Sequence, residues 1–331
     1  MFEGKKILIT GGTGSLGQAL TKRLLDLKVD AVRIFSRNEN KQITMESEFS
    51  DDRLRFFIGD IRDLSRLTKA LEDVDIVFHA AALKHVPVVE YNPFEAIKTN
   101  VLGSQNVIDA CLSQNVKISV AVGTDKAVSP LNTYGATKLL MEKLFVTANN
   151  YLNKEKYLTK FVSLRYGNVL GSSGSVVPKF IKQIKNKEKI TITDPSMTRF
   201  SITMDEALDF ILNSTINGEG SEVFVPKLRA YSINDVKLAL MELLGDTGEV
   251  KIPVRPGEKL HETLINLDEM RSTWESNSKY IVLNPYLTPE EIKTKYGHLQ
   301  KSDFGHAYSS NNVPKIPVNE LKQIISDSNL I

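Results

Sequence analysis

The sequence ILITGGTGSLG at residues 7–17 joins a short apolar run to a helical pattern through a turn with glycines at 11, 14 and 17. The run Ile7–Thr10 is continuous rather than alternating, which is typical of a parallel strand buried on both faces. Glycine allows the tight turn and lets the backbone approach a pyrophosphate, which then lies on the positive end of the helix. The glycines alone would also suit a plain strand–helix turn. A strand before them and a helix after them favour a dinucleotide site.

Outward from this turn, the first half of the chain alternates apolar runs with amphipathic ones. The segments predicted as strands are Ile7–Thr10, Val32–Ser36, Leu54–Asp60, Ile76–Ala81, Ile118–Thr124 and Phe161–Arg165. The segments with helical spacing are Ser15–Leu27, Asp63–Leu71, Pro93–Leu112 and Tyr134–Asn149. This alternation predicts an α/β fold with a Rossmann-type, doubly wound parallel sheet.

After about residue 168 the pattern becomes irregular, which indicates a second, smaller domain interleaved with the first. A length of 331 residues fits about two domains. We expect residues 1–168 to form the cofactor-binding domain, with 202–225 returning to it, and residues 169–201 and 226–331 to form a substrate-binding domain. Beyond Tyr286 the sequence is hardest to interpret. Thr288–Glu291 is typical of a capped helix start, and the rest could be a tail.

Composition and charge exclude several classes of protein. A hydrophobic fraction of 41% and a net charge of +2 describe a globular chain without the basic field that nucleic acid requires. The single cysteine, Cys111, excludes a disulfide framework and a thiolate zinc site, and no metal is expected. No apolar run reaches the ~20 residues that a membrane span needs, and the N-terminal one is too short for a signal peptide. We therefore expect a cytoplasmic protein that does not bind membranes.

The sequence FSRNENK, after the second predicted strand, chooses between the two nicotinamide dinucleotides. NAD-binding proteins place an acidic residue there for the ribose 2′-hydroxyl, whereas a basic residue accommodates a 2′-phosphate. Arg37 is suited to the phosphate, with Ser36 and Lys41 as further donors, so the sequence predicts NADP. The other cofactor-site candidates are Gly11, Thr13, Gly14, Ser15, Leu16, Gly17, Asp60, Ile61, Ala80, Lys84, Tyr134 and Lys138. For Asp60, a helix cap is an equally good interpretation.

Tyr134 and Lys138 lie one turn apart on the same face of a predicted helix. A lysine ammonium beside a phenol lowers the tyrosine pKa, so we expect a usable acid or base near neutrality. Thr124 stands ten residues earlier at the end of a predicted strand. With Asn100 in the preceding helix, these residues resemble the active site of the extended, nucleotide-sugar-modifying branch of the short-chain dehydrogenase/reductase superfamily.

Asp125 and Lys126 follow Thr124 directly. An enzyme that only moves hydride needs no further acid and base there, whereas the sugar-nucleotide 4,6-dehydratases of this branch carry such a pair. In their reaction a C4 ketone acidifies the C5 proton, a base removes it, and an acid protonates the departing C6 hydroxyl. A lysine base must be neutral when it acts, so we expect its pKa to be lowered by burial or by a cation such as Lys138. A salt-bridged surface pair is the alternative.

Longer strings extend the resemblance over about residues 4–265. They are AAALKHVP at 80–87, EYNP at 90–93, KTNV at 98–101, RYGNV at 165–169, GSVVP at 174–178, TD at 193–194, MTRF at 197–200 and RPGEKLHE at 255–262. Together they resemble the configuration-inverting UDP-N-acetylglucosamine 4,6-dehydratases, which catalyse the first step toward pseudaminic acid. The resemblance implies UDP-N-acetylglucosamine as substrate and NADP as a recycled cofactor that takes hydride from C4 and returns it to C6.

The resemblance also assigns roles to single residues. Lys126 would take the C5 proton and Asp125 would protonate the C6 hydroxyl. Tyr134 would deprotonate the C4 hydroxyl with support from Lys138. The residues assigned to the substrate site are Lys84, also near the cofactor, Asn168, Val177, Thr193, Arg255 and Glu258. A guanidinium offers a fork of donors, so Arg255 is the natural ligand of the diphosphate. A solvated loop lysine at position 84 and a core valine at 177 are the alternatives.

Several alternatives stay open at this point. A sister enzyme that couples dehydration to epimerisation, for capsule or O-antigen sugars, would share the elimination residues. A plain NADP-dependent alcohol dehydrogenase would accumulate NADPH. A non-enzymatic NADP sensor usually keeps the glycine turn and loses the catalytic Tyr or Lys, both present here. Relatives in this branch usually pair through the helices equivalent to Pro93–Leu112 and Tyr134–Asn149, so a homo-oligomer is expected.

Overall fold

The computed structural model describes residues 1–153, 155–172, 174–303, 305–328 and 330–331. Its strands are β1 Lys6–Thr10, β2 Ala31–Ser36, β3 Leu54–Ile58, β4 Ile76–His79, β5 Ile118–Val122, β6 Lys160–Leu164, β7 Asn168–Val169, β8 Ile190–Ile192, β9 Thr198–Ile202, β10 Glu222–Pro226, β11 Arg229–Ser232, β12 Glu249–Lys251, β13 Thr263–Ile265, β14 Thr273–Glu275, β15 Lys279–Leu283, β16 Gln300–Lys301 and β17 Tyr308–Ser309. Its α-helices are α1 Ser15–Asp26, α2 Glu39–Phe49, α3 Leu64–Ala70, α4 Val86–Tyr91, α5 Pro93–Ala96, α6 Gly103–Ser113, α7 Thr133–Thr147, α8 Val176–Lys185, α9 Met204–Asn217, α10 Ile233–Leu244, α11 Pro289–Tyr296 and α12 Val318–Asp327.

A ten-stranded sheet forms the centre of the molecule, in the order β16-β14-β15-β10-β6-β5-β4-β1-β2-β3. The strands from β3 to β10 in this order are parallel, and β15, β14 and β16 add an antiparallel edge. The strand order reverses between β1 and β4. Doubly wound sheets bind ligands at the carboxyl ends of strands beside such a reversal. The predicted Rossmann-type α/β fold is confirmed.

The central strands are buried on both faces, which explains their continuous apolar runs. Ile7 and Ile9 of β1 pack into one core cluster, whereas Leu8 between them packs into the cluster on the opposite face. Every residue of β4 and of β5 is buried. Because protein covers both faces of these strands, the continuous apolar runs indicate strands in the middle of the sheet.

A smaller region covers the carboxyl ends of the parallel strands and has its own core. The two short sheets β12-β8 and β11-β9-β7 belong to it, together with α8, α10 and α12. Leu321 and Ile325 of α12 are fully buried in a cluster with Phe180 of α8 and Leu240 of α10. The end of the chain is therefore not the tail that the sequence left possible, because α12 completes this core.

The division of the chain between the two regions differs from the predicted one. After α9, strand β10 lies beside β6 in the central sheet. Strands β14, β15 and β16 extend the same sheet, although the prediction gave all of 226–331 to the smaller domain. These strands have two to five residues, and the sequence around them is rich in turns. Only the pairing of β15 along β10 reveals that they cover an edge of the large sheet.

Two helices near the site were not predicted. Helix α2 buries only Gln42 and Met45, so it lacks a strong apolar stripe, and it starts at Asn38, whose side chain accepts from the Lys41 N–H. Helix α4 has six residues. A π-helical segment at Ile97–Leu102 also interrupts the predicted helix 93–112. None of the helices in the described ranges has both the length and the apolar content that a membrane span requires.

Candidate active site

A cavity of about 1040 Å³ lies between the carboxyl ends of the parallel strands and the smaller region. It gathers most of the residues singled out from the sequence. Those in its wall are Gly11, Thr13, Gly14, Ser15, Leu16, Gly17, Ser36, Arg37, Lys41, Asp60, Ile61, Ala80, Lys84, Thr124, Lys126, Tyr134, Lys138, Asn168, Thr193, Arg255 and Glu258. Asp125 and Val177 are the two candidates that lie outside the wall.

The glycine turn has the backbone geometry that a pyrophosphate needs. Gly11 has φ +70°, and a Cβ there would lie 2.8 Å from the Ala81 nitrogen. A Cβ on Gly17 would lie 2.4 Å from the Gly12 oxygen, so only glycine lets α1 start this close to the turn. Gly14 caps α1 without a side-chain hydrogen bond. The first N–H groups of α1 are therefore left for an anion, and these residues fit a dinucleotide.

Arg37 follows directly after β2 and has an exposed side chain. Its guanidinium lies 3.7 Å from Asp60 Oδ2, which also accepts a 2.7 Å hydrogen bond from Arg62. The cap of α3 is Asp63, whose side chain accepts from the Arg66 N–H, so Asp60 is not a helix cap. The arrangement keeps a guanidinium at the cavity wall beside the end of β2.

Helix α7 carries Tyr134 and begins in direct contact with the smaller region. Asn132 caps the helix by accepting from the Gly135 N–H at 2.8 Å, and its own side-chain amide donates to the Gly257 carbonyl at 2.9 Å. A Cβ on Gly135 would lie 2.1 Å from the Lys126 carbonyl oxygen. The first turn of α7 thus packs tightly against the segment that follows β5, which fixes Tyr134 relative to Lys126.

Asn100 connects the segment after β4 to α7. Its amide donates to the Leu83 carbonyl at 2.9 Å and to the Thr137 hydroxyl at 3.0 Å, and its oxygen accepts from the Leu83 N–H at 2.8 Å. Asn100 is fully buried. It therefore holds the backbone next to Lys84 at a fixed distance from α7.

The pKa of Tyr134 does not follow the prediction. Removal from water raises it to about 12, and the charge of Lys126 and the Thr124 hydroxyl only partly offset this. Lys138 is not among the groups that lower the pKa of Tyr134; its Nζ donates instead to the Val122 carbonyl at 2.7 Å. Burial lowers the pKa of Lys138 to about 7 against the opposing charge of Glu142. The expected pairing of this lysine with the phenol is wrong.

Lys126 lies between two carboxylates. Its Nζ is 3.0 Å from Asp125 Oδ1 and 3.4 Å from Glu262 Oε1. Loss of solvent would lower the pKa of Lys126, but the two anions together raise it above its ordinary value. The prediction of a lowered pKa is therefore wrong, because the neighbours that control this lysine are anions rather than Lys138. The pair is also not an exposed surface salt bridge, since the Asp125 side chain is 1% exposed.

Asp125 is held from two sides and has one oxygen without a partner. Its Oδ1 accepts from the Thr124 hydroxyl at 2.8 Å and from Lys126, whereas its buried Oδ2 has no hydrogen-bond partner in the part of the chain that the structure describes. Glu262 has a similar orphan oxygen, Oε2. Sequence reasoning missed Glu262, although it is the last residue of the string RPGEKLHE that carried the resemblance.

The substrate candidates Lys84, Asn168, Thr193, Arg255 and Glu258 lie in the cavity wall, whereas Val177 does not. Val177 is buried in the core of that region with Phe180, and its neighbour Val176 faces the cavity instead. Arg255 lies in the wall with Lys179, a residue that the sequence did not single out. Burial and the charge of Arg255 lower the pKa of Lys179. Two cations held this close together favour an anionic ligand.

The comparisons with known proteins agree with this geometry. Residues 7–284 match the family described as polysaccharide biosynthesis protein. A UDP-N-acetylglucosamine 4,6-dehydratase (inverting) from Campylobacter jejuni subsp. jejuni serotype O:23/36 is 47% identical over 95% of each chain. A UDP-glucose 4-epimerase from Rickettsia felis is 39% identical over 98% of this chain and 96% of its own. The X-ray structure of Pen from Bacillus thuringiensis has a TM-score of 0.92 and 38% identity, covering 100% of this chain and 99% of its own. The chain therefore belongs to the polysaccharide biosynthesis protein family, among relatives of the inverting UDP-N-acetylglucosamine 4,6-dehydratases of the short-chain dehydrogenase/reductase superfamily.

Proposed function

We propose that the protein is a UDP-N-acetylglucosamine 4,6-dehydratase that inverts C5 and makes UDP-2-acetamido-2,6-dideoxy-β-L-arabino-hex-4-ulose, the first intermediate toward pseudaminic acid. The observation that carries the proposal is the contact of 3.0 Å between Lys126 Nζ and Asp125 Oδ1 beside Tyr134. An acid–base pair at this place serves an elimination, and hydride transfer alone has no use for it. The 47% identical relative from Campylobacter jejuni supports the same reaction.

The cofactor half of the cavity suits NADP. We assign the pyrophosphate to the glycine turn and α1, the 2′-phosphate to Arg37 with Ser36 and Lys41, and the nicotinamide ribose to Lys138. A nicotinamide cofactor held by these residues would supply reversible hydride transfer, so that the hydride removed at C4 of the sugar would be available for return at C6. Since the same hydride leaves and comes back, the proposed reaction consumes no reductant.

Tyr134, in its phenolate form, is the proposed acceptor of the C4 hydroxyl proton. Lys126 and the Thr124 hydroxyl both lower the pKa of this phenol against the opposing effect of burial. The two groups that favour the phenolate are thus also neighbours of the elimination site. Thr124 additionally donates to Asp125, so one hydroxyl touches both halves of the chemistry.

The elimination requires a neutral amine and a protonated carboxyl at the same moment. Transfer of one proton from Lys126 to Asp125, across their 3.0 Å contact, produces both groups together. Lys126 then takes the C5 proton, and Asp125 protonates the C6 hydroxyl, which leaves as water. The raised pKa of the resting lysine is therefore compatible with its role, because the proton that it must lose is the one that the acid needs.

The smaller region supplies the proposed substrate contacts. Arg255, with Lys179 beside it, is assigned to the diphosphate, and Asn168 and Thr193 are assigned to the nucleotide sugar. Lys84 lies in the wall near the cofactor half and is assigned to both ligands. The UDP end of the substrate is accordingly assigned to the loop that follows β12.

The second candidate is a 4-epimerase, favoured by the relative from Rickettsia felis that is 39% identical over 98% of this chain. Epimerisation at C4 needs hydride removal and return but no loss of water. It would leave Lys126 and Asp125 without a part in the reaction. The sister enzyme that combines dehydration with epimerisation differs from the proposed one only in product stereochemistry.

The test is proton NMR of the purified protein with UDP-N-acetylglucosamine in D₂O, without added NADPH. We expect a 4-keto-6-deoxy product with deuterium at C5 and the coupling of an inverted centre. Retention at C5 would support the sister enzyme, and a C4 epimer formed without loss of water would support the 4-epimerase. Absence of turnover would contradict the substrate assignment.

A further inference from the structure

Glu262 is a carboxylate in the cavity wall, and it has no role in the mechanism proposed above. Its side chain is 3% exposed, and its Oε1 lies 3.4 Å from the Nζ of Lys126. Its second oxygen, Oε2, is buried and has no hydrogen-bond partner among the described residues. Enclosing a carboxylate in this way costs free energy unless its charge is used, so its position next to the proposed base calls for an explanation.

The backbone of Glu262 is anchored from the far end of the chain. Its N–H donates to the Ser310 hydroxyl at 2.9 Å, and its carbonyl accepts from the Ser310 N–H at 2.8 Å and the Ser309 hydroxyl at 3.0 Å. Three hydrogen bonds to one short segment fix the Cα of Glu262. The carboxylate is therefore presented to Lys126 by the fold rather than by a flexible surface loop.

The two carboxylates beside Lys126 are bound differently. Asp125 receives the Thr124 hydroxyl and the ammonium on one oxygen. The ion-pair partners of Glu262 among the described residues are Lys126 and, at 3.9 Å, the Nε of Arg199. Asp125 accepts a hydrogen bond from Lys126 and so has a direct path for exchanging a proton with it, whereas Glu262 lies 3.4 Å from the ammonium and contributes its charge.

The other charged or titratable groups that act on Lys126 come from several elements. Arg199 of β9 lowers the pKa of Lys126 by repulsion. Tyr134 of α7 is neutral, since its pKa is raised to about 12. Lys259 points to the Val128 carbonyl at 2.6 Å. Glu262 and Asp125 are thus the two anions that face the ammonium among the described residues.

We propose that Glu262 is a positioning residue for the elimination, acting as the permanent counter-ion of Lys126. This inference rests on the proposed dehydratase function. When the C5–H bond breaks, its proton forms a new N–H bond on Lys126 and its electron pair moves toward the C4 ketone. The C6–O bond then breaks, and the hydroxyl leaves as water with the proton from Asp125. Before that second step, Asp125 is neutral and Glu262 is the anion beside the new ammonium.

The total charge of the three groups is −1 before proton abstraction, zero while Lys126 holds the C5 proton and Asp125 is still protonated, and −1 again after elimination. Before proton abstraction, Lys126 and Asp125 are neutral and Glu262 carries −1. After elimination Lys126 carries +1, while Asp125 and Glu262 carry −1 each. The intermediate stage, with the ammonium formed and Asp125 still protonated, is neutral only because of Glu262. In an enclosed site, an ammonium without a counter-ion would be strongly disfavoured.

The test compares the pH dependence of kcat in the wild type, Glu262→Gln and a matched control, Glu258→Gln. Glu258 also pairs with Arg199, at 3.6 Å, but is not among the ion-pair partners of Lys126. Deuterium incorporation at C5 is measured in parallel, because it reports proton transfer at the atom on which Lys126 acts. Glu262→Asp is included as the variant that keeps the charge.

We expect the basic limb of the kcat profile, where the Lys126–Asp125 pair loses its shared proton, to move about one pH unit lower in Glu262→Gln, since an ammonium that loses an anion releases its proton more easily. The plateau of kcat should fall about tenfold, with KM close to the wild-type value. Glu262→Asp should keep the limb in its wild-type position, and Glu258→Gln should change KM rather than the limb.

Profiles of Glu262→Gln and the wild type that superimpose would overturn the inference. An equal shift of the limb in Glu258→Gln would also overturn it, because the effect would then be common to the carboxylates that pair with Arg199. If Glu262→Gln fails to fold, a shifted limb in a folded Glu262→Asp would overturn it in the same way. A wild-type protein that forms no dehydrated product is a different result, which would refute the proposed function itself.

Discussion

The charged side chains at the two ends of the cavity differ in their exposure to solvent. We call the wall with Arg37 the cofactor end and the wall with Lys126 and Lys138 the catalytic end, after their proposed roles. At the cofactor end, Arg37 has a side chain that is 54% exposed, and Asp60 lies 3.7 Å away. At the proposed catalytic end, Lys138 is buried and the side chain of Lys126 is 26% exposed, and their pKa values move in opposite directions. In solvent a neighbouring charge has little effect, whereas at the more buried end the neighbours decide which lysine keeps its proton.

The contrast between the two lysines comes from where the anions are. Lys126 has Asp125 and Glu262 within 3.4 Å. Lys138 has Glu142 one turn further along α7, but both oxygens of Glu142 accept 2.6 Å hydrogen bonds from Arg165. Because Arg165 neutralises that carboxylate, burial prevails at Lys138 and lowers its pKa to about 7.

The largest effect is expected for the base at the catalytic end. Lys126→Ala should lower the rate of dehydration by a factor of roughly 10² to 10⁴, because general base catalysis at C5 is lost. Cofactor affinity should be retained, since the glycine turn and Arg37 are untouched. Product formation by NMR and cofactor binding by fluorescence titration check the two expectations. Full dehydratase activity in this variant would refute the assignment of the base.

A smaller effect, on stability, is expected for the other lysine. Lys138 has a folded-state pKa of about 7 against an ordinary value of 10.5. Between these values the unfolded chain binds more protons, so the contribution of Lys138 to stability is most unfavourable near and below pH 7 and improves as the pH rises. Lys138→Met keeps an unbranched side chain and should raise the free energy of unfolding at neutral pH by about 1–3 kcal/mol.

Urea unfolding of the cofactor-free protein at two pH values measures this gain. The difference between Lys138→Met and the wild type should shrink from neutral to alkaline pH, because deprotonation relieves the wild type of the same cost. A gain that is independent of pH would mean that the lysine is charged throughout, as Lys126 is. Hydride transfer should fall in the same variant, since Lys138 is assigned to the nicotinamide ribose.

The gathering of the candidate cofactor residues in one wall of the cavity was predictable because its determinants are local in the sequence. The glycine turn, the end of β2 and the end of β4 can each be recognised as candidate cofactor contacts within a few residues. A continuous apolar run followed by Gly or by Arg37 places these groups at the carboxyl edge of a parallel sheet. No contact between distant parts of the chain is needed to reach that conclusion.

The catalytic end was predicted only in its residue types. The protonation of Lys126 depends on Glu262, which is 136 positions away in the sequence, and their contact exists only in the folded chain. Val177 was assigned to the wrong side of α8 for a related reason, because its spacing suits either face until the core of the smaller region is known. The short strands β14 to β16 carry no pattern of their own that indicates which sheet they join.

A more modest effect is expected at the cofactor end from Arg37→Glu. The substitution places a carboxylate where the 2′-phosphate of NADP is proposed to bind, so NADP affinity should fall about tenfold or more while NAD affinity changes little. Isothermal titration of both dinucleotides measures the ratio. Equal affinities for the two in the wild type would contradict the assignment of Arg37.

The smallest effect is expected from Asp60→Asn, and it is the sharpest check on the difference between the two ends. Asp60 lies 3.7 Å from Arg37, but Arg37 is 54% exposed, and exposed ion pairs contribute about 0.2–1 kcal/mol. Removal of this ion pair should therefore lower the Kd of NADP by no more than about fivefold, and added salt should reduce that gain in affinity. A change in NADP affinity much larger than tenfold would show that the neighbours of Arg37 control it as strongly as Asp125 and Glu262 control Lys126. The cofactor end would then have to be treated, like the catalytic end, as a set of coupled charges.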